Sequence, residues 1–193
     1  MKQDLLIIFT KNLLYGKVKT RLAATMGNDN AFRIYKNLVA YTYSVTKQLQ
    51  CDKIVYYSDY TEQDDIWNGY MKATQQGNDL GERMMNAFED AFTNGTAKAV
   101  IIGTDCFEID QNIIEQAFAT LNKNDIVIGP ATDGGYYLLG MKSLHPLLFE
   151  NIAWSTETVF NTTITICNHL NLSYFLLPVL NDVDEEKDLK RMN

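Results

Sequence analysis

Four cations crowd one short stretch of an acidic chain. Lys11, Lys17, Lys19 and Arg21 fall within residues 11–21, whereas the whole sequence carries a net charge of −7. Gly16 sits among them, and Thr10 leads in from an apolar run. A glycine lets backbone N–H groups approach an anion closely, a lysine supplies a point charge, and an arginine offers a planar fork of donors. Charge-assisted bonds of that kind suit a phosphate chain. Thr10, Lys11, Gly16, Lys17, Lys19 and Arg21 are therefore candidate phosphate-binding residues, with Lys19 and Arg21 able to stabilise charge on a departing phosphate. The P-loop pattern is absent, so this is a different kind of phosphate loop. A solvated basic loop is the competing reading.

Carboxylates stand at two further points. Asp105 follows the apolar run Lys98–Gly103, and Asp182 and Asp184 follow Leu172–Leu177. A carboxylate at the end of a buried strand needs a partner. A divalent cation, Mg²⁺ or Mn²⁺, bridging to phosphate oxygens would supply one. Asp182 and Asp184 point the same way if the chain is extended, so either could complete a metal site with Asp105. Each also has a plain structural role open to it, Asp105 as a cap and the later pair as the acidic lead-in to a helix. Asp133-Gly134-Gly135 is a turn on conformational grounds alone. Trp154-Ser155-Thr156 reads equally well as a helix cap with an aromatic anchor. Cys106 lies beside a candidate ligand, yet a strand-end cysteine with no histidine near it in sequence reads as a packing residue.

The elements that must position these residues follow from periodicity. Leu5–Phe9, Lys53–Tyr57, Tyr70–Gln75, Lys98–Gly103, Asp125–Gly129, Tyr136–Leu139 and Leu172–Leu177 read as strands, with Pro130 stopping the fifth. Apolar residues at helical spacing predict helices over Asn28–Leu49, over Asp79–Asn94 with Asp79 as N-cap, and after Asp110 with an Ile109–Ile114 staple. A further helix starts at Ser155 or Thr156, and Glu185–Met192 is expected to close the chain as a helix. Strands alternating with helices predict a three-layer α/β/α fold around a mostly parallel sheet, with one antiparallel insertion at the Asp133 hairpin. Ligands of such sheets sit outside the carboxyl ends of the strands, so the residues just after each strand are the ones to inspect.

Composition narrows the classes. The chain of 193 residues is 46% hydrophobic and 21% charged, which is enough for one domain over residues 1–193. No stretch approaches the roughly 18 apolar residues of a membrane span, and no signal peptide is expected. Three scattered cysteines fit reduced thiols in a cytoplasm, and two histidines exclude a multi-histidine metal site. The acidic balance argues against a nucleic-acid partner.

The run from Ile8 to Leu22, IFTKNLLYGKVKTRL, resembles the opening of a bacterial family of glycosyltransferase-A-like proteins, related to the phospholactate guanylyltransferases and the molybdenum-cofactor nucleotidylyltransferases. Further matches follow in order: DLGERM at 79–84, GTDC at 103–106, GPATDGGYYLLG at 129–140, WST at 154–156 and DVDEEKDL at 182–189. The resemblance implies the nucleotide-diphospho-sugar transferase fold. By it, the loop through Gly16–Arg21 binds the nucleotide, and Asp105 is a metal ligand with Asp184, or else Asp182, as the second. Gln76 and Gly81 look similar to base-reading positions. Asp133, Gly134, Gly135 and Tyr136, with Trp154, Ser155 and Thr156, would line the acceptor side. Three departures stand out: Phe107 replaces a usual proline, the opening loop lacks its proline around Leu13–Tyr15, and Glu185 and Glu186 replace Thr-Pro.

The expected function is a metal-dependent transferase using an activated nucleotide, with a glycosyltransferase acting from a nucleotide sugar placed first. The alternatives are a guanylyltransferase-like nucleotidyltransferase acting from a triphosphate on a phosphorylated small molecule, and a nucleotide-binding protein without catalysis. The donor, the acceptor and the oligomeric state are not legible in the sequence.

Overall fold

The apolar run at Leu5–Phe9 becomes β1 (Asp4–Thr10), and its alternation supplies both faces of the sheet. Leu6 and Ile8 pack with Leu22, Leu38 and Phe118 on one side. Leu5, Ile7 and Phe9 pack with Met84, Phe88 and Cys167 on the other. A strand buried on both faces must be covered by helices above and below. The computed structural model describes residues 3–191 and shows how.

After β1 come α1 (Thr20–Met26), α2 (Asn28–Thr46), β2 (Asp52–Tyr57), β3 (Met71–Thr74), α3 (Leu80–Thr93) and β4 (Lys98–Ile102). Then follow α4 (Gln111–Thr120), β5 (Ile126–Pro130), β6 (Tyr136–Met141), α5 (Val159–His169) and β7 (Tyr174–Leu176). The sheet order is β3-β2-β1-β4-β6-β5-β7. Every neighbouring pair is parallel except those of β6, which runs antiparallel to both β4 and β5. Helices α1, α2 and α4 cover one face, and α3 and α5 the other. This is a three-layer α/β/α arrangement around a mostly parallel sheet. Among the described residues no helix is long and apolar enough to cross a membrane.

Caps behave as their residue types dictate. The Asp79 side chain accepts from Glu82 N–H, and the Asp110 side chain from Ile113 N–H, each satisfying a donor the helix start leaves free. Ile109 and Ile114 are both buried, as a staple requires.

Four elements differ from expectation. Helix α1 has no forerunner in the sequence pattern, because its seven residues bury only Leu22 and give no periodic signal. Helix α5 starts at Val159 and not at Ser155 or Thr156. Ser155 sits in the left-handed region, φ 62°, and the Thr156 hydroxyl donates to the Ala153 carbonyl, so these residues form a turn. Strand β5 includes Pro130, where its register with β6 shifts. The closing segment is a 3₁₀ turn over Glu186–Arg191, with Asp188 accepting from the Asp184 and Glu185 N–H groups. Met192 lies outside the described residues.

One carboxylate fastens the far edge of the sheet. Asp125, leading into β5, accepts from Ser173 N–H at 2.9 Å and Ser173 Oγ at 2.6 Å, and pairs with Lys142 at 3.0 Å. The two Ser173 bonds, then Lys142, lower its pKa to about 2. A depressed folded-state value means stability that is present above the unfolded pKa of about 4 and lost as pH falls through about 2. Acid titration of stability should therefore show a loss between about pH 4 and pH 2 that is smaller in Asp125→Asn, measured by urea melts across that range.

Candidate active site

The carboxyl edge of the sheet is tied together by a residue that the sequence offers only as core. Tyr35 falls on the apolar face of α2, but its hydroxyl reaches the strand ends. It lies 3.2 Å from Thr10 Oγ1 and 3.1 Å from Thr104 Oγ1, accepts from Lys11 N–H at 2.8 Å, and donates to the Lys11 carbonyl at 3.2 Å. The ends of β1 and β4 are thereby held at one point. Asn12, also buried, does the same for the loops after β1 and β2. Its Nδ2 donates to the Tyr60 carbonyl at 2.8 Å and its Oδ1 accepts from Asp59 N–H at 3.1 Å.

The late carboxylates reach Asp105 through backbone pairing. Cys106 and Asp182 form an antiparallel bridge, and Val183 N–H donates to the Asp105 carbonyl at 2.8 Å. Asp184 then stands beside Asp105. Between them lies Lys19, whose Nζ is 2.6 Å from Asp105 Oδ1 and 2.9 Å from Asp184 Oδ1. Arg21 Nη1 adds a longer pair to Asp184 at 3.7 Å. The Lys19 side chain is 6% exposed, against 43% and 40% for the two carboxylates. Burial alone would lower the Lys19 pKa, but Asp105 and Asp184 outweigh it and hold the ammonium above its ordinary value. Burial would likewise raise Asp184, and Lys19 and Arg21 bring it below the usual range. Asp182 has no such partner in contact. Burial, with Asp105 and Asp133 nearby, pushes its carboxyl up to about 7. The Cys106 thiol is pushed up to about 12 by burial and by Asp182, which removes the thiolate a nucleophile needs.

The opposite wall is locked by two glycines. A Cβ on Gly81, in the first turn of α3, would lie 2.2 Å from the Trp154 indole nitrogen. A Cβ on Gly134, already at φ +88°, would lie 2.1 Å from the Glu157 carbonyl oxygen. The first glycine admits the Trp154 ring, and the second admits the backbone that follows it, with Phe160 N–H donating to the Gly134 carbonyl at 2.9 Å. Tyr136 meets Trp154 edge-on, ring centroids 6.5 Å apart.

These pieces enclose a cleft of about 690 Å³, a usual size for a small-molecule site. On one side stand Thr10, Lys11, Lys19 and Arg21, with Asp105, Asp182 and Asp184 beside them. Asp133, Gly135, Tyr136, Trp154, Ser155 and Thr156 line the rest. Gly16, Lys17, Gln76, Gly81 and Gly134 do not line it. Lys17 is exposed and Lys19 buried, and the left-handed conformation of Lys19 with the start of α1 at Thr20 ends the alternation that grouped Lys17, Lys19 and Arg21. The cleft also contains residues the sequence left unassigned, among them Ser58, Gln75, Arg83 and Glu157. Arg83 lies inside the DLGERM motif, which was its available signal. Its Nε donates to the Gly77 carbonyl at 3.1 Å and its Nη1 to Gln75 Oε1 at 3.4 Å. Gln75 in turn donates to the Thr10 and Tyr56 carbonyls. Phe107, in the place of a proline, stacks on Tyr41 with centroids 4.3 Å apart, so the turn after Asp105 is braced by packing.

Among the described residues no group of three or more His, Cys, Asp or Glu side chains could hold a metal ion unaided. Asp105 and Asp184 form a half-exposed pair that fits Mg²⁺ or Mn²⁺ when substrate oxygens complete the shell.

Comparison with known proteins places the chain. A family model described as "Uncharacterized protein conserved in bacteria (DUF2064)" matches residues 41–156. The chain belongs to this DUF2064 family. A crystal structure from Desulfovibrio desulfuricans G20, of a protein named as a candidate nucleotide-diphospho-sugar transferase, is 34% identical with a TM-score of 0.93, covering 100% of this chain and 87% of that one. Two more distant structures share the fold. A cytidylyltransferase from Leptospira borgpetersenii is 15% identical with a TM-score of 0.61, covering 100% of this chain and 85% of its own. Glucosyl-3-phosphoglycerate synthase from Mycobacterium tuberculosis, in complex with Mn²⁺, uridine diphosphate and glucosyl-3-phosphoglycerate, is 9% identical with a TM-score of 0.55, covering 93% and 71%. No functionally curated protein matches the sequence.

Two outcomes test this architecture in the DUF2064 chain. Tyr35→Phe leaves the Thr10 and Thr104 hydroxyls and the Lys11 N–H without their shared partner and should cost about 1–3 kcal/mol in urea unfolding. Gly81→Ala should keep α3, since alanine favours a helix, but displace the indole. Trp67 is 1% exposed, so a red shift of tryptophan fluorescence in that variant reports on Trp154.

Proposed function

We propose that this protein is a metal-dependent glycosyltransferase acting from a nucleotide sugar, its residues 1–193 forming one transferase domain. The observation that carries this reading is the separation of charge across the cleft. The cations that line it, Lys11, Lys19, Arg21 and Arg83, come from the loop after β1, from α1 and from α3. Residues 131–159 contribute to the same cleft the carboxylates of Asp133 and Glu157, the Trp154 ring and the hydroxyl-bearing residues Tyr136, Tyr137, Ser155 and Thr156, with no lysine or arginine. An anionic donor is drawn to the first wall. A phosphorylated acceptor would be repelled by the second, whereas a hydroxyl-bearing acceptor finds hydrogen-bond acceptors and an aromatic face there.

In this reading Asp105 and Asp184 hold Mg²⁺ or Mn²⁺, which supplies charge neutralisation at the departing phosphate. Lys19 adds a fixed positive charge to the same oxygens, strengthened by its low exposure, and Arg21 adds a mobile one. Asp133, Gly135, Tyr136, Trp154, Ser155 and Thr156 bound the acceptor. Gly81 and Gly134 serve by admitting Trp154 and Glu157. Lys17 does not line the cleft, so one of the cations that a triphosphate and its leaving pyrophosphate would draw on lies outside it. That weighs against the nucleotidyltransferase alternative, which the related cytidylyltransferase fold keeps in view.

A panel of nucleotide sugars, tested with Mn²⁺ and hydroxyl acceptors, should yield nucleoside diphosphate and no pyrophosphate. Acceptor-dependent pyrophosphate release from a triphosphate, with no turnover of any nucleotide sugar, would replace this reading by the alternative. Asp105→Asn, which removes charge and keeps shape, should lower Mn²⁺-dependent nucleotide affinity by about tenfold or more, read by calorimetry on protein whose melting temperature shows it folded.

A further inference from the structure

We propose that Lys19 is a resident counter-ion that keeps the Asp105–Asp184 pair closed to free divalent cations and releases it only to a cation arriving with a phosphate. This rests on the reading of those two carboxylates as metal ligands. The Lys19 Nζ already lies within 2.9 Å of an oxygen of each carboxylate, in the bridging position a shared cation would take. A second cation entering there meets the positive charge of Lys19 at a few ångströms and is repelled by it.

The ammonium cannot withdraw by itself. Lys19 is held in the left-handed region, φ 48° and ψ 49°, and its carbonyl accepts from Ala23 N–H to start α1. Val18 on one side and Leu22 three residues on are 2% and 0% exposed, so the backbone is anchored in the core. Its side chain is itself buried, and a buried ammonium without an anion is strongly unfavourable. Arg21 differs: its side chain is 66% exposed and 3.7 Å from Asp184, so it is free to turn to water.

A phosphate chain removes the obstacle. Its oxygens give Lys19 a new anion as the carboxylate oxygens turn to the metal, and charge is balanced throughout. Metal and phosphate therefore enter together, and the carboxylate pair does not collect divalent cations from solution.

The test compares Mn²⁺ binding to the wild type and to Lys19→Met, by electron paramagnetic resonance of free Mn²⁺ and by calorimetry, with and without inorganic pyrophosphate as the phosphate probe. The wild type should bind Mn²⁺ alone weakly and far better with pyrophosphate. Lys19→Met should bind Mn²⁺ alone about tenfold or more tighter than the wild type, and gain less from pyrophosphate. If Lys19→Met folds poorly, Lys19→Gln keeps an amide donor at similar reach and should show the same gain. Equal Mn²⁺ affinity in wild type and both variants, with pyrophosphate still enhancing binding, overturns the counter-ion role and leaves the metal site standing. No Mn²⁺ binding to any of them, with or without pyrophosphate, overturns the metal site and this role with it.

Discussion

A short backbone pairing outside the sheet proper governs the site. The bridge between Cys106 and Asp182, with Val183 N–H on the Asp105 carbonyl, brings the chain's last acidic segment against the end of β4. Without it Asp184 has no reason to lie near Asp105, and Lys19 has only one carboxylate to meet. The pairing is in turn anchored from both directions. Upstream, Leu180 bridges Ala131, and the Asn181 N–H donates to Glu108. Downstream, Asp188 gathers the N–H groups of Asp184 and Glu185. The buried thiol of Cys106 and the apolar side chain of Val183 supply packing under two otherwise exposed carboxylates.

The sheet supplies the second constraint. Parallel strands end at one edge, and Tyr35 binds two of those ends to each other through a single hydroxyl. The cleft thus opens at strand ends that are tied to one another. The cleft is an electrostatic object built on that frame: cations on one wall, carboxylates on the other, and an ammonium–carboxylate cluster beside the cations.

Much of this could be read from residue order. Strands β1 and β4, buried on both faces, announce themselves as continuous apolar runs, and Asp79 and Asp110 mark helix starts by their own chemistry. The positions of Asp105 and Asp184 after strands pointed to the correct edge. What the sequence could not convey was partnership. Nothing in one dimension says that Lys19 faces two carboxylates, that Lys17 stays outside the cleft, or that the Tyr35 hydroxyl reaches past the core it sits in. Gly81 and Gly134 were legible as special but not as to why. Glycines that admit an indole and a carbonyl look the same, in sequence, as glycines that admit a ligand.

Strand β6 has one more implication. Because it runs against its neighbours, its first residue, and not its last, lies at the carboxyl edge. The turn at Asp133 and the start of the strand therefore stand on the same rim as Asp105 and the loop after β1. One reversed strand thus lets a hairpin turn and the segments that follow parallel strands border a single cleft.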